Sequence, residues 1–132
     1  MDTQKDWAAL VGRALFALTF IISGWQKIPG WAGNVGYIAS RGLPFPELAS
    51  IVSIVIELGG GIAILLGWKT RWVAIVYIVY LIVLTLVFHP FWSAPADQAM
   101  MQQINFLKNV AILGGALLLF AFGPGRISVD KA

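Results

Sequence analysis

Ile56-Glu-Leu-Gly-Gly-Gly-Ile-Ala-Ile-Leu-Leu66 (IELGGGIAILL) sets one carboxylate and three consecutive glycines in an otherwise apolar run. The apolar character extends from about residue 46 to 66, roughly the 20 residues a helix needs to cross a hydrocarbon core at about 1.5 Å per residue. Three further stretches qualify by the same measure, at approximately 7–28, 72–88 and 103–122. Of the 132 residues, 59% are hydrophobic and 11% charged, and the mean hydropathy is +0.83. A soluble domain of this size needs a polar surface that such a composition cannot supply. The sequence therefore predicts one all-α membrane domain over 1–132, a four-helix transmembrane up-down bundle with short connections.

The breaks between spans carry breaker chemistry. Pro29-Gly30 follows the first span, Pro44 and Pro46 precede the second, and Gly67-Trp-Lys-Thr-Arg71 joins the second to the third. His89-Pro90 closes the third and Gly123-Pro-Gly125 the fourth. Arg13 and Lys27 in and beside the first span, with no small-residue cleavage site after it, mark a retained helix rather than a secretory signal. The stretch 29–45, PGWAGNVGYIASRGLPF, is expected to fold back as a short interfacial helix or re-entrant piece.

The formal charge is +3, but the basic residues are scattered singly, without the stripe that nucleic acid requires. They read instead as topology determinants. Four crossings put both termini and the 67–71 turn on one side, with Lys5, Arg13, Lys69, Arg71, Arg126 and Lys131, against Lys27 and Arg41 opposite. The positive-inside bias places that first side, with both termini, in the cytoplasm. Cysteine is absent, which excludes disulfides, thiolate metal sites and dithiol exchange.

Charges within a membrane helix cost about 2.5–3.5 kcal/mol by insertion scales, so they normally face the bundle and pair. Ser50, Ser53, Glu57, Gly60, Gly61 and Ile64 share one helical face; so do Arg13, Ala17, Phe20, Gly24 and Lys27; so do Asn105, Lys108, Asn109 and Ile112. Counted from the cytoplasmic end, Arg13 falls at about 9 Å, Glu57 at about 15 Å, Lys108 at about 22 Å, His89 at about 25 Å and Lys27 at about 30 Å. An intramembrane cluster of Arg13, Lys27, Glu57, His89, Asn105, Lys108 and Asn109 is expected, with Glu57 flanked by Arg13 and Lys108. Gly24, Gly60 and Gly61 mark where a neighbouring helix or a ligand approaches. The plainer reading is that buried charges only fix helix register and that His89, before a proline, is a turn residue. No zinc motif, nucleotide fingerprint or phosphate-cradling loop is present, so no metal is expected, and one histidine cannot supply a bis-histidine haem site.

The ordered blocks GRALFALTFIISGWQKI, YIASRGLPFPEL, IELGGGIAILLGWKTR, LVFHPFW and INFLKNVAILGGALLLFAFGPGRISVD resemble the DoxX family of small bacterial inner-membrane proteins. Gly12, Arg13, Gly24, Lys27, Gly42, Pro44, Glu57, Gly60, Gly61, Gly67, Arg71, His89, Asn105, Lys108 and Asn109 match its motif positions. The resemblance implies a membrane component associated with quinone or redox chemistry, such as a subunit beside an oxidoreductase partner, and offers no secure catalytic assignment. A quinone needs hydrogen-bond donors and a proton route; Lys108, Asn109, Gln26 or His89 would donate and Glu57 relay. Two alternatives stand beside it: a small-molecule or anion binding or transport module, suggested by the excess of cations over one glutamate, and a structural assembly partner without chemistry of its own. Self-association into a homo-oligomer stays open.

Overall fold

The computed structural model describes residues 3–131, and among them the chain is helical with no strand. The elements are α1 (Thr3–Gln26), α2 (Trp31–Ser40), α3 (Pro46–Ile54), a π-helical turn (Val55–Gly59), α4 (Gly60–Leu66), α5 (Thr70–Phe88), a 3₁₀ turn (Phe91–Ser93) and α6 (Ala99–Phe122). Four segments are long and apolar enough to cross a membrane: Thr3–Gln26, Pro46–Leu66, Thr70–Ser93 and Ala99–Phe122. The bundle is the expected four-helix one with short connections, and helix ends move by a few residues. The first and last spans begin four residues earlier than the sequence reading, because Thr3–Asp6 and Ala99–Gln102 continue the helical backbone. The stretch after Pro29 does contain a helix, α2.

Large exposed side chains cover the outside of every span, including Leu15, Val55, Val79 and Leu118. Such a surface is inverted for water and suits lipid, where burial by hydrophobicity drives nothing and close packing of small groups does the work. The centre is a cluster of Ala17, Phe20, Ile64, Tyr77, Leu81 and Ala116. Phe20 and Tyr77 pack with ring centroids 4.5 Å apart, and Phe16 closes the group 5.3 Å from Phe20.

Both ends of the described chain lie on one side, here the terminal side. The segment after Gly123 turns back beneath α4 and α5: Val129 and Asp130 N–H donate to the Leu66 and Gly67 carbonyls, each at 2.9 Å. The Asp130 carboxylate accepts from the Lys69 and Thr70 amides at the start of α5, each at 2.9 Å. It thereby caps a helix that has no capping side chain of its own. Gly67, with φ of 71°, takes the left-handed conformation that ends α4 and admits the Ser128 side chain.

Candidate functional site

The antiparallel register of α1 against α3–α4 decides which polar groups meet. Glycine at 24 lets the two backbones touch: a Cβ there would stand 2.7 Å from Leu58 N and 3.1 Å from the Glu57 Cβ. Gly61 does the same one turn on, where a Cβ would stand 2.8 Å from Ile21 Cγ1 and 3.3 Å from the Ala17 carbonyl. Level with Gly24, Glu57 is 2% exposed, and Lys27, one turn further along the chain, folds onto it as an ion pair through Oε2. Tyr80 of α5 donates its hydroxyl to the same oxygen.

The backbone around Glu57 is unusual as well. A π turn leaves carbonyls without regular i+4 partners, and such turns cluster at functional sites. Here Tyr77 adds a side-chain donor to the backbone N–H of Gly60, its hydroxyl 2.8 Å from the Ile56 carbonyl and 3.1 Å from that of Glu57. Gly60 makes this contact available, since a Cβ at that position would lie 2.9 Å from Tyr77 Oη. The space beside all three glycines is therefore occupied by protein. Of the carboxylate's two oxygens, Oε1 is buried and makes no hydrogen bond among the described residues.

Above this group, away from the terminal side, lies a cavity of about 430 Å³ between α2, α3 and α5. Lys27, Ser53 and Tyr80 line it near the carboxylate, and Asn34 and His89 line it further out. The remaining walls are apolar or aromatic, among them Val52, Val83 and Phe88. Asn34 of α2 donates to Ser50 Oγ at 2.6 Å, and Tyr37 stacks on Phe88 with centroids 5.1 Å apart, so α2 covers the cavity as a fixed roof. His89 Nδ1 lies 2.8 Å from Gln102 Oε1; an amide oxygen only accepts, so Nδ1 carries the hydrogen.

The expected cluster is thus divided. Glu57 and Lys27 are paired, and His89 shares their cavity. Arg13 does not flank Glu57. The register carries it down to Leu65, where its guanidinium donates to the Leu65 carbonyl at 3.2 Å and the Ile127 carbonyl at 2.8 Å, and also to Pro124. These are carbonyls at a helix end and in the returning tail, and a buried arginine satisfies several at once. Lys108 does not flank Glu57 either. It is exposed at the outer edge of α6, whereas Asn105 and Asn109 are half-buried on the stripe that continues to Ile112 and Ala116, through which α6 packs on the core. With Arg13 on carbonyls, Lys27 on Glu57 and Lys108 outside, the excess of interior cations that suggested an anion site is gone.

Tyr77 and Tyr80 were invisible to a search for charges. Their signal was modest: two hydroxyls at i and i+3 within an apolar helix, on the stripe that continues to Ala74, Leu81 and Thr85.

Comparison with known proteins agrees with this architecture. The family model described as DoxX matches residues 8–90. Inner membrane protein YphA of Escherichia coli is 42% identical over 92% of this chain and 87% of its own length. Inner membrane protein YqjF of the same organism is 37% identical over 99% of this chain and 95% of its own. A Surfeit locus protein 4 homolog of Drosophila melanogaster is 25% identical over 98% of this chain but 42% of its own length. No solved structure matches the chain. By the family model and by relatives that align along nearly its whole length, the chain belongs to the DoxX family.

Proposed function

We propose that the chain is a multi-pass inner-membrane component that binds a quinone-type ring in the cavity above Glu57. The observation that carries this reading is a cavity of about 430 Å³ with apolar walls and the Lys27 and Tyr80 polar ends at its base. Its volume lies within the roughly 300–1,000 Å³ of small-molecule sites, and few, convergent polar groups in an apolar lining are their usual chemistry. The donor set fits such a ring. Lys27 gives one N–H to Glu57 Oε2 and has two more for a ring oxygen. Glu57, behind the cavity wall, holds that ammonium in place, while Val52 and Val83 exclude water from the ring faces. When bound, a quinone would supply two-electron, two-proton chemistry, with electrons coming from an oxidoreductase partner.

The inner-membrane assignment rests on the printed names of the two bacterial relatives. The excess of Lys and Arg on the terminal side supports cytoplasmic termini, which opens the cavity in the outer half of the bilayer.

The test is a melting curve of the purified protein with a short-chain ubiquinone or menaquinone analogue. At a free concentration of 100 times the Kd, binding stabilises by about 2.7 kcal/mol, and the melting temperature should rise by several degrees. Tyr80→Phe and Lys27→Met should each remove that rise. A wild-type protein with no rise, and no quinone carried through purification, refutes the reading.

A further inference from the structure

α6 presents an exposed lysine at membrane depth, with two half-buried asparagines at the edge of its packing face beside it. Only Ala116 of this helix is fully buried. Asn105, Lys108 and Asn109 lie at i, i+3 and i+4 on one side of it, Lys108 exposed and the two asparagines half-buried. None of the three forms a hydrogen bond or ion pair among the described residues. Lys108 lies nine residues from Ala99, about 14 Å along the axis, in a helix of 24 residues or about 36 Å. Centred on a hydrocarbon core of about 30 Å, the helix overhangs by about 3 Å at each end, so the Lys108 backbone sits about 10 Å inside the core. A lysine stem snorkels roughly 6 Å. The ammonium therefore stays within hydrocarbon, at a depth where lysines almost always pair.

Among the described residues no carboxylate is placed to take it. Glu57 is buried on Lys27; Asp6 and Asp130 lie on the terminal side, and Glu47 and Asp97 lie at or beyond the opposite ends of the spans. A second copy placed across a twofold axis on this face would bring another Lys108 and no anion of matching depth. We infer that the Asn105–Lys108–Asn109 face of α6 docks a transmembrane helix of a partner protein bearing an Asp or Glu in the half of the bilayer away from the terminal side. The partner carboxylate takes the ammonium, and the two asparagines donate and accept beside it, as interhelical side-chain amides do. The inference does not depend on what occupies the cavity, which lies on other helices.

A photo-cross-linking amino acid at Ile104 or Ala111, both exposed and on the Lys108 side of the helix, tests this in the intact membrane of the native host. The expected product is an adduct with a different polypeptide whose spans contain a carboxylate at that depth. Lys108→Met should reduce its yield roughly tenfold or more, the least that leaving such a charge unpaired implies. Lys108→Arg should keep it, and Lys108→Glu should regain it when the partner's acid is changed to Lys. Melting of purified Lys108→Met should match wild type, since the residue is exposed and makes no hydrogen bond or ion pair among the described residues, so a loss of adduct is not a loss of fold. An adduct made only of two copies of this chain, adducts with phospholipid only, a polypeptide adduct indifferent to Lys108→Met, or no adduct at all each overturns the inference.

Discussion

Lys27→Met is the sharpest probe of the buried pair, because methionine keeps most of the lysine stem and removes only the ammonium. Glu57 is 2% exposed, so the substitution leaves a carboxylate in a water-poor interior with only the Tyr80 hydroxyl on it. Breaking a buried pair by deleting one partner costs about 3–5 kcal/mol. The Lys27 side chain keeps 22% of its exposure, so solvent already screens part of the interaction and the lower end, about 3 kcal/mol, is expected. Removing the second charge too, in Lys27→Met with Glu57→Gln, leaves no orphan ion and should recover about 2 kcal/mol or more of that loss, since neutral replacements of buried pairs are often tolerated. The assay is reversible unfolding in mixed micelles by denaturing detergent, with the four proteins of the cycle compared. A single Lys27→Met costing less than about 1 kcal/mol would place the pair in the class of exposed ones. A double variant as unstable as the single one would show that the loss comes from packing, not charge, and either outcome refutes the reasoning.

Three other expectations follow from the same contacts. Gly24→Ala pushes a methyl into the Leu58 backbone at 2.7 Å and should cost about 1–3 kcal/mol in the same assay; Gly36→Ala, with nothing within 4 Å, is its control and should sit within about 0.5 kcal/mol of wild type. Tyr77→Phe keeps the ring but removes the side-chain donor from the π turn's carbonyls, so it should cost about 0.5–1.5 kcal/mol and speed hydrogen exchange of the amides near Glu57. For Asp130, burial raises the carboxyl pKa, but the Thr70 and Lys69 amides and the nearby Arg13 charge outweigh it, so the net value lies below the ordinary 3.8. A depressed carboxyl stabilises fully above its unfolded value and loses that contribution as pH falls through the folded one. Exchange at Lys69, Thr70 and Val129 should therefore accelerate only below about pH 4, and Asp130→Asn should abolish that pH response.

The bundle was legible because hydropathy, breakers and charge bias all depend on residues near one another in sequence. The stripes on the second and first spans were legible for the same reason: Ser50, Ser53, Glu57, Gly61 and Ile64 are all buried, and so are Arg13, Ala17, Phe20 and Gly24. What sequence could not give was register between helices. Depths counted from helix ends put Arg13 and Lys108 beside Glu57 and Lys27 far above it. Gly24 packing on Leu58 slides α1 so that Lys27 reaches the carboxylate and Arg13 reaches the end of α4. Nor does a polar stripe say which way it turns. On α6, Asn105 and Asn109 are half-buried on the stripe that leads to Ile112 and Ala116, whereas Lys108, at the edge of that stripe, is exposed.

The π turn gives the most physical account of why this glutamate is fixed where it is. A carboxylate on a flexible stem can relax away from a partner, and an ion pair then says little about function. Here α5 holds Glu57 at both ends: Tyr77 binds its main-chain carbonyl and, one turn along, Tyr80 binds its side chain. α1 supplies the cation from the opposite side. Rigid support of this sort is what orients a polar group before a ligand arrives, so that binding does not also have to order it. A carboxylate kept only for helix register would gain from having both oxygens satisfied, since an unsatisfied buried acceptor costs about 1–3 kcal/mol. Oε1 carries that cost, behind the two donors of Oε2, which form the base of the cavity. The combination of a fixed charge, a buried acceptor without a partner and two of its neighbours facing an apolar cavity favours a binding site over a packing device.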